Sequence, residues 1–138
     1  MNIFKRFILL CVVSAMAVTA VRADIKVSVL TCSPGEEVYS LYGHTALRYR
    51  DSSRNIDVVF NYGCFDFSAP NFMWRFVLGE TDYMVGCTEY RHFVPEYELR
   101  GSAIHEQVID MTDEEAESLF ASLLENLKPE NRIYRYRY

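Results

Sequence analysis

The chain has 138 residues, with 14 Lys and Arg against 19 Asp and Glu and a formal net charge of −5. Without residues 1–23, which read as a leader, 115 residues remain and the net charge falls to about −8. That length suffices for one domain with one core, and the acidic balance argues against a nucleic-acid partner, which needs a basic patch.

Lys5 and Arg6 precede an apolar run over residues 7–21, and Val21-Arg22-Ala23 is a small-x-small site. This is the pattern of a secretory signal peptide cleaved after Ala23. The run is short for a membrane span, an uncleaved N-terminal anchor being the alternative. Cys11 follows Ile8-Leu9-Leu10 without a small residue before it, so no lipoprotein box is read there. The mature cysteines are Cys32, Cys64 and Cys87. An exported chain permits one disulfide among them, and the odd count leaves at least one thiol over. His44, His92 and His105 are not spaced as a zinc site, and no metal or cofactor is expected.

Residues 25–31 alternate as a first strand, with Val27, Val29 and Thr31 opposite Lys26, Ser28 and Leu30. Cys32-Ser33-Pro34-Gly35 is a turn. Residues 36–42 read as a short helix stopped by Gly43. The next strand, 44–50, sends Thr45, Leu47 and Tyr49 to one face and His44, Ala46, Arg48 and Arg50 to the other. A polar turn at 51–55 returns the chain through a strand at 56–62, giving a β-hairpin. With the turn centred near Ser53, Asn61 and Tyr62 lie across from His44 and Thr45.

The loop 63–70 carries Phe65 and Phe67, and residues 71–78 read as a helix whose aromatic stripe is core, a lipid-facing or substrate-facing wall being the alternative. A strand follows at 82–87, then a helix at 88–99 capped by Thr88 and broken or kinked at Pro95. His92 on it reads as a surface or half-buried residue. Residues 103–111 form an imperfectly alternating strand. The clearest helix spans 113–127, with Thr112 as N-cap, Glu115 completing a capping box, and Ala116, Leu119, Phe120, Leu123, Leu124 and Leu127 on one packed face. Pro129 stops it, and 133–138 alternates Tyr and Arg as a last strand.

The chemistry centres on His44. A glycine that delivers a histidine to the first position of a strand gives the imidazole a rigid base and an open approach, as a general base requires. Asn61 or Tyr62 on the paired strand would fix its tautomer. The competing reading is structural: a lone strand-start histidine packed on the sheet, with Asn61 bonding backbone.

Val29-Leu30-Thr31-Cys32-Ser33-Pro34-Gly35 and Tyr39-Ser40-Leu41-Tyr42-Gly43-His44-Thr45-Ala46-Leu47-Arg48 resemble the Lnb N-terminal periplasmic domain family. So do Val59-Phe60-Asn61-Tyr62-Gly63, Phe65-Asp66-Phe67, and Leu127-Lys128-Pro129-Glu130-Asn131-Arg132-Ile133-Tyr134-Arg135-Tyr136. The resemblance spans nearly all of residues 24–138. It implies an exported bacterial domain of α+β class, a permuted papain-like (NlpC/P60- or LRAT-like) antiparallel sheet with packed helices. The family includes lipoprotein N-acyltransferases, which move an acyl chain from phospholipid to the N-terminal amine of a lipoprotein cysteine.

Carried onto this sequence, the resemblance makes His44 the base and Asn61 and Tyr62 its neighbours. Its nucleophile, in an Asn-Cys motif, is expected beyond residue 138, so the domain reads as truncated at its C-terminus and little activity is expected from these residues alone. Cys32, on the turn, and Cys64 are the thiols that could stand in. The implied partners are phospholipid or an acyl chain, a lipoprotein N-terminus and a membrane surface, with the periplasm as compartment. A binding module that keeps an acyl groove lined by Phe65, Phe67, Phe72 and Trp74, without turnover, is the alternative; a gene fragment is the third reading.

Overall fold

A computed structural model describes residues 24–35 and 40–135. The leader at 1–23, residues 36–39 of the expected short helix and residues 136–138 of the last strand lie outside the described residues. The strands are β1 (Ile25–Cys32), β2 (His44–Asp51), β3 (Ile56–Cys64), β4 (Tyr83–Glu89), β5 (Ile104–Ile109) and β6 (Ile133–Tyr134). The described helices are α1 (Phe72–Val77), α2 (Tyr90–Leu99) and α3 (Asp113–Asn126).

All six strands form one antiparallel sheet in the order β5-β1-β2-β3-β4-β6. The chain enters as β1 to β4, each antiparallel to the one before, with α1 between β3 and β4. It then carries α2 across one face to place β5 on the far edge, and returns with α3 across the other face to reach β6. Both faces are therefore covered, which explains why β1 reads as apolar on both sides: Val27 is 1% exposed and Leu30 is 0%.

On the α3 face, Tyr49, Phe60 and Val27 pack with Ala116 and Leu123, and the Tyr49 ring stacks on Phe120 at 4.0 Å. On the α2 face, Leu30, Cys32, Ala46 and Val59 pack with Phe93 and Tyr97. The expected split of β2 holds: Leu47 and Tyr49 go to the α3 core, and Ala46 goes to the α2 core. The capping box of α3 is formed, with Glu115 N donating to Thr112 Oγ1 at 3.2 Å and Thr112 N donating to Glu115 Oε2 at 2.8 Å. The β2–β3 turn is tied by Asp51, whose carboxylate is 1% exposed and accepts from Ser53 N, Ser53 Oγ and the Arg54 side chain. Those bonds hold its pKa down at about 2, the Ser53 hydroxyl contributing most. Arg54 continues the network to the Tyr49 hydroxyl and Glu117, both at 2.5 Å.

Of the expected short helix at 36–42, Ser40 has 3₁₀ geometry, and Leu41 and Tyr42 form a turn closed by Gly43 N donating to Ser40 O at 3.0 Å. Five expectations are corrected. Cys32 is not on a turn but is the last residue of β1, paired with His44. Thr88 does not cap α2, because it remains in the β4 ladder opposite Val59; extended Glu89 is the N-cap. Nor is α2 broken at Pro95, which sits in its second turn and there deprives the helix of one bond, to the Arg91 carbonyl. Finally, the aromatic stripe of α1 is only half core. A six-residue helix buries one narrow face; Phe72 takes it, and Trp74 is left 72% exposed beside exposed Met73, Val77 and Leu78. The stripe of α3 is likewise narrower than read, since Leu124 is exposed.

Candidate functional site

Gly43 has φ +75, and a Cβ there would fall 2.5 Å from the carbonyl oxygen of Cys32. Both facts demand glycine. The backbone can thus pass close to the end of β1 and set His44 as the first residue of β2. There His44 pairs with Cys32, and the two side chains share the α2 face. The β2–β3 register puts Asn61 opposite Ala46, two residues along from His44 on the same face. This is a diagonal neighbour instead of the directly opposite one expected, and the side chains bridge the gap: His44 Nε2 and Asn61 Oδ1 are 3.0 Å apart. The Tyr97 ring of α2 lies parallel to the imidazole, 14° between planes and 6.2 Å between centroids. Phe93 supports Tyr97 from one turn back, at 4.6 Å.

The β3–β4 ladder shifts register between Asn61 and Cys64. Asn61 pairs with Gly86 and Cys64 with Met84, so three steps on β3 meet two on β4. Simple alternation would send Cys64 to the face opposite Asn61; the extra residue returns it to the same face. Gly63, at φ +90, carries the distortion. Tyr62, next to Asn61, points to the other face by ordinary alternation, and there its hydroxyl accepts from Asn126 Nδ2 of α3 at 2.8 Å. The structure does not bring Tyr62 to His44.

The result is a cleft of about 230 Å3 lined by His44, Asn61 and Cys64, by Phe65, Phe67 and Phe93, and by Glu96, Tyr97, Arg100 and Ser102 of α2 and the turn after it. Of the residues expected in an acyl groove, Phe65 and Phe67 line it. Phe72 packs beneath them, with ring centroids 5.6 and 5.0 Å away, and Trp74 faces solvent. Cys32 sits behind this wall, 2% exposed, with burial pushing its thiol pKa up against a hydrogen bond from Tyr97 that pulls it down. Burial also pushes up the thiols of Cys64 and Cys87 and the Tyr97 phenol. All three described cysteines are free thiols. No cluster of three or more His, Cys, Asp or Glu able to hold a metal occurs among the described residues.

Sequence reasoning missed the α2 contribution. Glu96, Tyr97 and Arg100 reach the cleft because α2 crosses the sheet, a non-local fact. The local signals were the Phe93–Tyr97 and Glu96–Arg100 pairs at i, i+4.

Arginines at the far end of this face are not part of the cleft. Arg48 donates two 2.7 Å bonds to Asp57, pairs with Glu106 at 3.1 Å, and lies 3.4 Å over the Tyr90 ring. It clamps β2 to β3, β5 and α2.

No curated protein and no solved structure matches the chain. The profile of the Lnb N-terminal periplasmic domain matches residues 17–138. That match takes in the glycine–histidine turn, the Asn61 strand and the last described strand together. Its span, with the α+β sheet built around the motifs quoted for it, makes the chain a member of the Lnb N-terminal periplasmic domain family.

Proposed function

We propose that the cleft is the histidine-bearing part of a thiol-dependent acyl-transfer site of the lipoprotein N-acylation class, in an exported chain processed after Ala23. The observation that carries this reading is the 3.0 Å contact between His44 Nε2 and Asn61 Oδ1 inside an aromatic-walled cleft. On this reading the carboxamide oxygen accepts from Nε2–H, which leaves the Nδ1 lone pair free. It is the base-and-orienting-amide relation that a permuted papain-like site would use.

The chemistry follows from that tautomer. A thiol gives its proton to Nδ1, and its sulfur attacks the carbonyl carbon of an acyl ester. The C–S bond forms, the C–O bond breaks, and the leaving alkoxide takes the proton from the imidazolium. An amine nitrogen then attacks the thioester. The C–N bond forms, the C–S bond breaks, and the surplus amine proton passes through His44 to the departing thiolate. The ester is of the phospholipid kind, and the amine that of a lipoprotein N-terminal cysteine. Residues 1–138 contain no Asn-Cys pair, the family's expected nucleophile. Among the described thiols, Cys64 is the one that lines the cleft.

A second reading has its own support. Burial pushes the Cys64 thiol up, which holds it protonated and unreactive at neutral pH. On that reading the cleft binds an acyl chain or lipoprotein without turning it over.

Incubation with octanoyl p-nitrophenyl ester, followed by intact-mass and peptide mass spectrometry, separates the two. A cysteine thioester formed by the wild type and lost in His44→Ala supports acyl transfer. Saturable binding with no thioester moves the assignment to the binding module. An adduct that survives His44→Ala, or neither binding nor adduct, overturns the acyl-transfer reading.

A further inference from the structure

A second cavity, of about 190 Å3, lies apart from the His44 cleft and shares no lining residue with it. Phe72 of α1 forms part of its wall, and the same ring packs on Phe65 and Phe67 of the cleft, so an aromatic partition stands between the two. On the sheet side the wall is Met84 of β4 and Ile133 of β6, which are ladder partners.

Thr81, just before β4, also lines this cavity. It is 5% exposed, and its hydroxyl has no hydrogen-bond partner among the described residues. A hydroxyl enclosed in that way is destabilising, and at the wall of a cavity an occupant can supply the missing bond. The charged groups nearby are unevenly satisfied. Arg135 holds Asp82 closely, with Nε donating to Oδ1 at 2.7 Å and Nη2 2.6 Å from the same oxygen. Arg75 is held loosely: Nη2 donates to the Glu80 carbonyl at 3.1 Å and stands 3.6 Å from Asp82 Oδ2, too far for a hydrogen bond. Asp66 accepts from Ser68 N and Ser68 Oγ on Oδ1 alone, which holds its pKa down and leaves Oδ2 open.

The lining therefore offers a guanidinium and a carboxylate that each lack a close opposite charge, and a hydroxyl that lacks any partner. A simple anion would meet the Asp66 and Asp82 carboxylates, and a simple cation would meet Arg75. A zwitterion answers both signs. The volume lies below the roughly 300–1,000 Å3 of pockets that take drug-sized ligands, so the zwitterion is a small one. We propose that this cavity binds a free α-amino acid with a short aliphatic side chain, its carboxylate held by Arg75 and Thr81, its ammonium by Asp66, and its side chain by Phe72, Met84 and Ile133. No residue of the His44 cleft takes part, so the inference stands independently of the acyl-transfer reading.

The test is calorimetric titration of the folded protein with L-valine, with 3-methylbutanoate, which is valine without its ammonium, and with isobutylamine, which is valine without its carboxylate. L-Valine should bind about tenfold or more tightly than either analogue, since each lacks one charge-assisted contact. Arg75→Gln should bring L-valine down to the affinity of isobutylamine, and Asp66→Asn should bring it down to that of 3-methylbutanoate. Thr81→Val keeps the side-chain shape and removes the hydroxyl. It should weaken L-valine and 3-methylbutanoate, leave isobutylamine unchanged, and melt no lower than wild type without ligand, because no hydrogen bond is lost. A Thr81 that served the fold alone would give the reverse, a lowered melt with undiminished L-valine binding, and that result would overturn the assignment. No saturable L-valine binding, the result for a cavity that holds only water, would overturn the site. So would L-valine binding no tighter than its single-charge analogues, or binding undiminished in Arg75→Gln.

Discussion

Gly63→Ala tests how the cleft gets its thiol. Gly63 has φ +90, and the nearest heavy atom to a Cβ built there is Tyr83 Cδ1 at 4.0 Å, an ordinary contact. There is no clash to confuse the result, so the cost is backbone strain. Holding a non-glycine residue at positive φ costs about 1–3 kcal/mol. Alanine recovers about 0.4–1 kcal/mol by restricting the unfolded chain. The net is a loss of about 1–2 kcal/mol, which moves a urea midpoint by about 1 M at the slope usual for a domain of this size. Urea titration followed by far-UV circular dichroism measures it. The companion readout is Cys64 alkylation, since relief of the strain by straightening the bulge turns Cys64 away from His44. Wild-type stability with unchanged Cys64 alkylation would refute the argument that Gly63 forces the bulge.

Further outcomes follow from the packing and the charges. Phe93→Ala, at a site 1% exposed in the α2 core, should lose about 3–5 kcal/mol in the same titration. Thr112→Ala removes the α3 cap and should cost about 1 kcal/mol, while Trp74→Ala, on an exposed site, should stay within about 0.5 kcal/mol of wild type. Asp51 has its pKa lowered to about 2 in the folded state, chiefly by the Ser53 hydroxyl. Its stabilising effect is therefore full above the ordinary carboxylate range and is lost as pH falls from about 4 towards 2. The stability gap between wild type and Asp51→Asn, followed by denaturant titration from pH 6 to pH 2, should close over that interval. The Cys64 thiol, raised by burial, should alkylate with iodoacetamide more slowly than free cysteine at pH 8 and gain rate above the usual thiol range.

The local rules were legible where structure is local. The capping box at Thr112 and Glu115, the two faces of β2 and the β2–β3 hairpin all follow from residues within a few positions of one another. So did the candidate base: Gly43-His44 announces itself, and Asn61 is where a return strand would deliver it, one diagonal step from the expected place. What escaped the sequence is what depends on a second element. The bulge at Gly63 reverses the facing of Cys64, and alternation cannot foresee an inserted residue. The placement of Tyr97, Arg100 and Ser102 depends on the crossing of α2 over the sheet. The exposure of Trp74 depends on how little a six-residue helix can cover.

The acyl-transfer reading of the cleft depends on which nitrogen of His44 is bare. Nitrogen-15 NMR of the imidazole, recorded on wild type and Asn61→Ala through neutral pH, reads this directly. The account predicts a neutral His44 with its proton on Nε2 and Nδ1 unprotonated, and a loss of that single-tautomer signature in Asn61→Ala. A wild-type His44 carrying its proton on Nδ1, or one indifferent to Asn61→Ala, would contradict it.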